Sequence, residues 1–253
     1  MALAHRTALV TNVSTQLGYA VARRFGLAGA QIVVSDQDAK KTSDAVEGLQ
    51  SLGVKVLGGV ADIHSGDHRR ALLELIENKF QRLDVVVLNA DENTTKGDIL
   101  ESTKAEVEDM YQKYLTTPFR MCQQAYPLLS KSPNGSIIFT SSVAAYTPLV
   151  DLGLYSAAQT AVLGMVKALA ISAGSHGIRV NSVVAGMMSG DGTGAVWSRS
   201  NEEIENQIKN MIPLGRVGKI SECSGIVEFL ASDRSKYITG ENCVLSGGVS
   251  VRV

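Results

Sequence analysis

The first strand-like run of the chain, Thr7-Ala8-Leu9-Val10, leads through Thr11-Asn12-Val13-Ser14-Thr15 into a helix that begins near Gln16-Leu17-Gly18. The apolar and β-branched residues of the run predict a buried strand, and the short polar stretch after it predicts a tight turn. This order of strand, turn and helix is the unit from which the rest of the chain is built.

Six further short runs predict strands, and helical patterns of roughly ten to thirty residues separate most of them. They are Gln31–Ser35, Val54–Gly58, Val85–Asn89, Ser136–Thr140, Arg179–Val184 and Asn242–Leu245. Short apolar strands alternating with helices are typical of a parallel sheet that is covered on both faces. The sequence therefore predicts an α/β protein with a Rossmann-like, doubly wound parallel sheet of about seven strands.

Local signals agree with this order. Gly29 and Gly53 follow helical stretches and precede strands, Ser65 is a candidate helix cap, and Pro133-Asn134-Gly135 predicts a turn. No linker or repeat divides the 253 residues, so we expect one domain, 1–253. The least regular stretch, about 187–212, is expected to form a lid over the carboxyl ends of the strands.

Composition narrows the class of protein. With 45% hydrophobic and 19% charged residues, the chain can bury a sizeable core. Its net charge of -1 comes from interspersed acids and bases, without a basic block, so nucleic acid is not an expected partner. The four histidines are scattered and predict no metal site.

Targeting signals are sparse. The three cysteines are scattered, which suits a reducing compartment. No leader is expected before the first strand, and no apolar stretch is expected to reach the roughly 20 residues that span a bilayer. We expect a cytoplasmic protein without a membrane partner. The alternative is a peroxisomal one, because the terminal Val251-Arg252-Val253 has the basic centre and apolar end of a peroxisomal tripeptide.

Several motifs carry a family resemblance. They are Leu9-Val10-Thr11 with Gly18, Leu88-Asn89-Ala90, Ser136-Ile137-Ile138 with Ser141-Ser142, Tyr155-Ser156-Ala157-Ala158, Ile178-Arg179-Val180-Asn181-Ser182 and Tyr237-Ile238-Thr239-Gly240-Glu241. On these residues the chain resembles a classical short-chain dehydrogenase/reductase over essentially its full length. It is most similar in look to the peroxisomal-type carbonyl and retinal reductases. The resemblance implies an NAD(P)-dependent oxidoreductase, commonly a homotetramer or dimer.

Gln159 departs from the catalytic pattern of that family, which is Tyr-x-x-x-Lys, because Tyr155-Ser156-Ala157-Ala158 is followed by glutamine. Residues four apart on a helix share a face, so a lysine at 159 would lie near the Tyr155 hydroxyl. A unit charge about 4 Å away at an effective dielectric near 20 contributes roughly 4 kcal/mol, or about three units of phenol pKa. Lys113, on another element, is a hypothetical substitute for this charge.

Of the other two catalytic residues of the family, one is kept and one is replaced. Ser142 lies thirteen residues before Tyr155, the family's spacing for the serine that binds the substrate oxygen. The family's asparagine, which anchors a water relay, aligns with Tyr114. Two of four catalytic roles are therefore missing, and Ser142 and Tyr155 are either active or inherited without use.

The cofactor loop also departs from the family. Gln16 stands where a glycine lets the pyrophosphate approach the backbone, Asn12 replaces another glycine, and Asp91 adds a negative charge near the expected dinucleotide path. These changes predict that binding of the dinucleotide is weak or lost. The positions that the resemblance assigns to the cofactor are Thr11, Asn12, Gln16, Leu17, Gly18, Asp36, Asp62, Asn89, Ala90 and Gly186.

Asp36 favours NAD over NADP, because an acid after the second strand binds the adenosine ribose hydroxyls and repels a 2′-phosphate. The resemblance places Asp62 beside the adenine. The alternative for each is a solvated acid without a binding role.

Two functions remain open. The favoured one is a catalytically impaired or non-catalytic family member, a pseudoenzyme that serves assembly or ligand binding. The alternative is a weak NAD(P)H-dependent carbonyl reductase or alcohol dehydrogenase that acts on a small carbonyl compound through Ser142 and Tyr155. Carbonyl reduction needs the neutral phenol, whereas alcohol oxidation needs the phenolate.

Overall fold

The computed structural model describes residues 1–90, 95–189 and 210–249. Strands and helices alternate along them. The strands are β1 (Thr7–Val10), β2 (Gln31–Asp36), β3 (Val56–Val60), β4 (Val85–Leu88), β5 (Ser136–Ser142), β6 (Arg179–Ala185), β7 (Met188–Ser189), β8 (Gly218–Lys219) and β9 (Asn242–Leu245). The helices are α1 (Gln16–Leu27), α2 (Ala39–Ser51), α3 (Gly66–Phe80), α4 (Lys104–Tyr111), α5 (Thr117–Leu129), α6 (Gly153–Gly174) and α7 (Ile220–Ala231).

In the described part of the chain, seven strands form one parallel sheet of order β3-β2-β1-β4-β5-β6-β9. The first three strands run outward from β1, and the chain then returns to place β4 on the other side of β1. Ligands of open parallel sheets bind where the strand order reverses, outside the carboxyl ends of the strands. The predicted doubly wound α/β fold is confirmed, and its reversal point lies between β1 and β4.

The sheet is buried on both faces because neighbouring residues of a strand point to opposite sides. Leu9 of β1 packs with α3, α5 and α6, whereas Ala8 and Val10 pack with α1, α2 and α7. All four residues of β1 are buried. These two apolar layers explain why the predicted strands are continuous apolar runs rather than alternating ones.

Six of the seven predicted strand starts are confirmed, and the predicted strand ends agree with the structure within two residues. β3 begins at Val56 rather than at Val54, because the Val54 side chain instead fills the space beside Gly26 of α1, where a Cβ would lie 2.1 Å from Val54 Cγ1. Gly29 and Gly53 adopt positive φ angles of 97° and 75°, as expected after helices. Ser65 caps α3 by accepting a hydrogen bond from the backbone of His68.

Helix α6 is longer and more apolar than the sequence led us to expect. By length and composition alone, its 22 residues could cross a bilayer, whereas no such stretch was predicted. It packs against β5 and β6 and buries Leu154, Val162 and Val166. These contacts are those of a core helix in an α/β domain.

Two predicted segments fall largely outside the described residues. Of the lid predicted at about 187–212, the structure describes 187–189, which include β7, and 210–212. β7 pairs with β8 in a separate parallel ladder. The C-terminal tripeptide Val251-Arg252-Val253 lies wholly outside the described residues.

Candidate active site at the carboxyl edge of the sheet

The turn after β1 retains a glycine-like conformation without glycine. Asn12 has a φ angle of 49°, in the left-handed region that asparagine tolerates best among residues with a Cβ. Its side-chain Nδ2 donates to the carbonyl of Asn89 at 2.8 Å, and its own carbonyl accepts from Asn89 Nδ2 at 3.2 Å. This reciprocal pair holds the turn against the loop that follows β4.

Gly18 is required by close packing inside this turn. A Cβ at position 18 would lie 2.4 Å from the Asn12 carbonyl oxygen and 3.0 Å from Thr15 Oγ1. Thr15 caps α1 by accepting from the Gly18 N–H at 3.0 Å. The amino end of α1 therefore begins at the carboxyl edge of the sheet, with the geometry that anion sites at helix termini use.

The neighbouring predicted cofactor positions have different surroundings. Thr11 is buried and accepts from the Asn89 N–H at 3.1 Å, which ties β1 to β4. Gln16, the first residue of α1, is exposed, and Leu17 is half-buried against the apolar layer that contains α1. Ala90 donates its N–H to Thr140 Oγ1 at 2.8 Å.

Gly186 lies at the far end of this edge, directly after β6. It donates its N–H to the Leu245 carbonyl at 2.8 Å, and a Cβ there would lie 2.9 Å from the Cα of Ser246. Asp91 lies outside the described residues.

Asp36 is at the end of β2, as expected, but its carboxylate is engaged by the protein. It is 6% exposed, and it accepts from the backbone N–H groups of Ser14 at 3.1 Å and Asp38 at 3.2 Å. Asp62 similarly accepts from the His64 N–H at 2.9 Å. The two acids line one cleft of about 70 Å³, so the structure brings them together.

Ser142 and Tyr155 meet as the sequence predicts. Ser142 ends β5, Tyr155 lies in the first turn of α6, and the Ser142 side chain is near enough to the Tyr155 phenol to lower its pKa. Ser142 Oγ also accepts from the Ala144 N–H at 3.2 Å, which fixes its orientation. The pair is the arrangement needed to bind a carbonyl oxygen and pass it a proton.

Gln159 is hydrogen-bonded to the serine that precedes Ser142. Its side chain is fully buried, and its Oε1 accepts from Ser141 Oγ at 2.8 Å. Its Nε2 is buried and has no hydrogen-bond partner in the described structure. Gln159 lines a cavity of about 20 Å³, which is large enough for one water molecule.

The environment of Tyr155 favours the protonated phenol. Burial raises the pKa of the phenol, and the hydrogen bond from Ser142 lowers it by a smaller amount. Tyr114 is 3% exposed and packs its ring edge-on against the Tyr155 ring, with centroids 5.3 Å apart. An aromatic ring thus packs on Tyr155 from the position at which the sequence resemblance expects a polar asparagine.

Tyr114 lies in a widened helical turn that the sequence analysis did not predict. Between α4 and α5 the chain forms a π-helical turn over Gln112–Thr116. Pro118 explains it, because a proline ring clashes with the carbonyl four residues earlier, here that of Tyr114. In the sequence, Pro118 was the residue from which this turn could have been predicted.

His64 lies at this edge too, and the sequence analysis assigned it no role there. Its Nδ1 lies 2.9 Å from Thr117 Oγ1, and Gln112 Nε2 donates to the same hydroxyl at 3.3 Å. These contacts fix the π-helical turn to the loop after β3. Among residues 1–90, 95–189 and 210–249, no three His, Cys, Asp or Glu side chains are grouped to hold a metal ion.

The sheet order, the tight turn into α1 and the Ser142–Tyr155 pair define an α/β protein of the Rossmann-like oxidoreductase class. The chain belongs to the short-chain dehydrogenase/reductase family, which confirms the resemblance. The family model described as Enoyl-(Acyl carrier protein) reductase matches residues 13–250.

Similar proteins span the whole chain. Tropinone reductase-like 3 of Erythroxylum coca is 33% identical over 98% of this chain and 94% of its own. Dehydrogenase/reductase SDR family member 4 of Homo sapiens is 32% identical over 99% of this chain and 90% of its own.

Two solved structures have the same fold. A 7 alpha-hydroxysteroid dehydrogenase, complexed with NADH and 7-oxo glycochenodeoxycholic acid, superimposes with a TM-score of 0.90 at 25% identity, covering 99% of this chain and 96% of its own. A Serratia marcescens short-chain dehydrogenase/reductase mutant gives a TM-score of 0.88 at 26% identity, covering 99% of this chain and all of its own.

Proposed function

We propose that this protein is a catalytically impaired short-chain dehydrogenase/reductase, whose Tyr155 can give a proton to a carbonyl substrate but cannot readily take one from an alcohol. The observation that carries this proposal is the position of Gln159. Its amide is bound to Ser141, so residue 159 places no cation beside Tyr155, while burial raises the phenol pKa.

The residues at the edge of the sheet fit a NAD(P)(H) dinucleotide. Asn12 preserves the left-handed turn, Gly18 leaves room for the backbone contact, and Gln159 Nε2 is a buried donor without a partner. The NADH complex of the similar hydroxysteroid dehydrogenase supports the same ligand here. Asp36 favours NAD over NADP, and Gln16 and Asp91 are expected to weaken binding.

The direction of the chemistry follows from the protonation state of Tyr155. When bound, the dinucleotide supplies or accepts the hydride. In reduction, Ser142 donates a hydrogen bond to the carbonyl oxygen and the neutral phenol of Tyr155 gives it a proton. In oxidation the phenolate is needed, and even a pKa near 10 leaves only about one phenolate in a thousand at pH 7. Residual activity is therefore reduction of a small carbonyl compound.

A second candidate function is assembly or ligand binding without catalysis. Helix α6 favours it, because Gly164, Ala168 and the 83%-exposed Ile171 form an outward face of small and apolar residues. Such a face supports packing against a second copy in a homodimer or homotetramer. We propose a cytoplasmic location, with the peroxisome as the alternative.

The test compares the two reaction directions in a panel of small ketones and aldehydes with NADH and the matching alcohols with NAD. Reduction should be measurable at pH 7, oxidation should not, and Tyr155→Phe should lower reduction by at least about 100-fold. Tyr126→Phe is the control, because Tyr126 packs against His176 and stands outside the site.

Equal rates in both directions would contradict the impairment. NADH binding without reduction of any carbonyl would favour the second candidate function instead.

A further inference from the structure

We infer that Lys113 binds the adenosine diphosphate half of the dinucleotide and brings to this cleft a positive charge that Gln159 does not provide. The inference rests on the cofactor binding proposed above. It assigns a ligand contact to a residue of the π-helical turn.

The first observation is a shared cavity. Lys113 lines the same small cavity as Gln159, and Asn12, Asn89 and Ala90, three of the predicted cofactor positions, line it too. A lysine at this place is therefore next to the predicted path of the dinucleotide.

The position of this cavity along the cleft decides which half of the ligand Lys113 meets. The cavity and the cleft that holds Asp36 and Asp62 have Asn12, Ile63 and His64 in common. Those acids occupy the adenosine end of the predicted path. Lys113 therefore lies toward the adenosine diphosphate half.

The second observation is the burial of Lys113. Its side chain is 25% exposed, although its Nζ is paired with Asp109, one turn earlier, at 2.6 Å. Lys104 makes a pair of the same spacing with Glu108 and is 88% exposed. Exposed pairs of this kind contribute little to stability. Lys113 is therefore much less exposed than Lys104, although both lysines make an ion pair of the same kind and spacing.

The third observation is the backbone that carries Lys113. The π-helical turn directs Tyr114 onto Tyr155 and leaves Lys113 beside the cavity. The bonds from His64 and Gln112 to Thr117 hold this turn in place. Lys113 is thus presented by a fixed segment.

The charge of Lys113 acts on binding rather than on the phenol. A dinucleotide carries two phosphate charges, and the acids Asp36 and Asp62 near its predicted path repel them. An ammonium at position 113 offsets that repulsion. Burial raises the pKa of Tyr155 and the Ser142 hydrogen bond lowers it by a smaller amount, and Lys113 is not among the causes of the shift.

The test is a calorimetric titration of the full chain with NADH and with ADP-ribose, which lacks the nicotinamide. Lys113→Met should raise the Kd of both ligands about tenfold at low salt, and by less at high salt, because screening already weakens the wild-type contact. Lys113→Arg should stay within about twofold of wild type, since it keeps the charge. Lys104→Met is the matched control and should change neither Kd.

A second variant covers the case in which Lys113→Met does not fold. Asp109→Asn removes the competing carboxylate and should lower the Kd of both ligands. An unchanged or higher Kd would overturn the inference.

The remaining outcomes are distinct. A folded Lys113→Met that binds both ligands as tightly as wild type overturns the inference and leaves the proposed function intact. A loss confined to NADH, with ADP-ribose unaffected, overturns the assignment to the adenosine diphosphate half. If the wild type binds neither ligand at millimolar concentrations, the inference and the proposed cofactor binding both fail.

Discussion

Gln159→Lys is expected to restore alcohol oxidation to this protein. Position 159 follows Tyr155 by one helical turn on α6, so a lysine there shares the tyrosine's face. An ammonium about 4 Å from the phenol contributes roughly 4 kcal/mol at an effective dielectric near 20, which lowers the phenol pKa by about three units. At pH 7 the rate of oxidation should therefore rise by about 100- to 1,000-fold.

The same substitution should destabilise the protein without cofactor. Gln159 is fully buried and accepts from Ser141, so a lysine places a charge in a cavity whose described lining contains no acid. NADH should then raise the melting temperature of this variant more than that of wild type. Gln159→Met is the control for size and should leave oxidation undetectable. Oxidation that stays undetectable in a folded, NADH-binding Gln159→Lys would contradict the role assigned to the missing charge.

Gly18→Val is expected to damage both stability and dinucleotide binding. Its Cβ would lie 2.4 Å from the carbonyl oxygen of Asn12, and a backbone atom cannot rotate away as a side chain can. The turn after β1 must shift, which we expect to cost about 2–4 kcal/mol in the free energy of unfolding. Because Asn12 and Thr15 move with it, binding of NADH should fall beyond detection.

Urea unfolding and NADH titration measure these two effects. The control is Gly174→Ala at the end of α6, where a new Cβ meets no atom within 4 Å. That variant should unfold within about 0.5 kcal/mol of wild type. A Gly18→Val protein of normal stability and normal NADH affinity would show that the turn is not packed as described.

The fold was predictable because the strands are short apolar runs punctuated by glycines with special conformations, such as Gly29 and Gly53. Those signals are local. The predicted start of β3 was wrong by two residues. Val54 is apolar because it packs beside Gly26 of α1, and not because it belongs to the strand. The π-helical turn was missed because its cause, Pro118, acts on a residue four positions away within an otherwise regular helical pattern.

The parts of the candidate site that depend on the spacing of residues along the chain were predictable. The hydrogen-bond partners of individual side chains were not. The distance along the chain from Ser142 to Tyr155 brought the two hydroxyls together as expected. The partner of the Gln159 amide, in contrast, follows no spacing in the sequence, because its hydrogen bond from Ser141 depends on how β5 and α6 pack. The same holds for Asp36, whose carboxylate is engaged by backbone N–H groups that no sequence pattern reveals.

We expect Tyr155 to keep its proton near neutral pH, and a pH titration of tyrosine absorbance measures this without a substrate. The wild type and Tyr155→Phe are titrated in parallel, and the difference between the two curves isolates the phenol of Tyr155. The two curves should coincide up to a pH of about 10, because burial raises the pKa of Tyr155 above its ordinary value. A phenolate signal near neutral pH, present in wild type and absent from Tyr155→Phe, would contradict it.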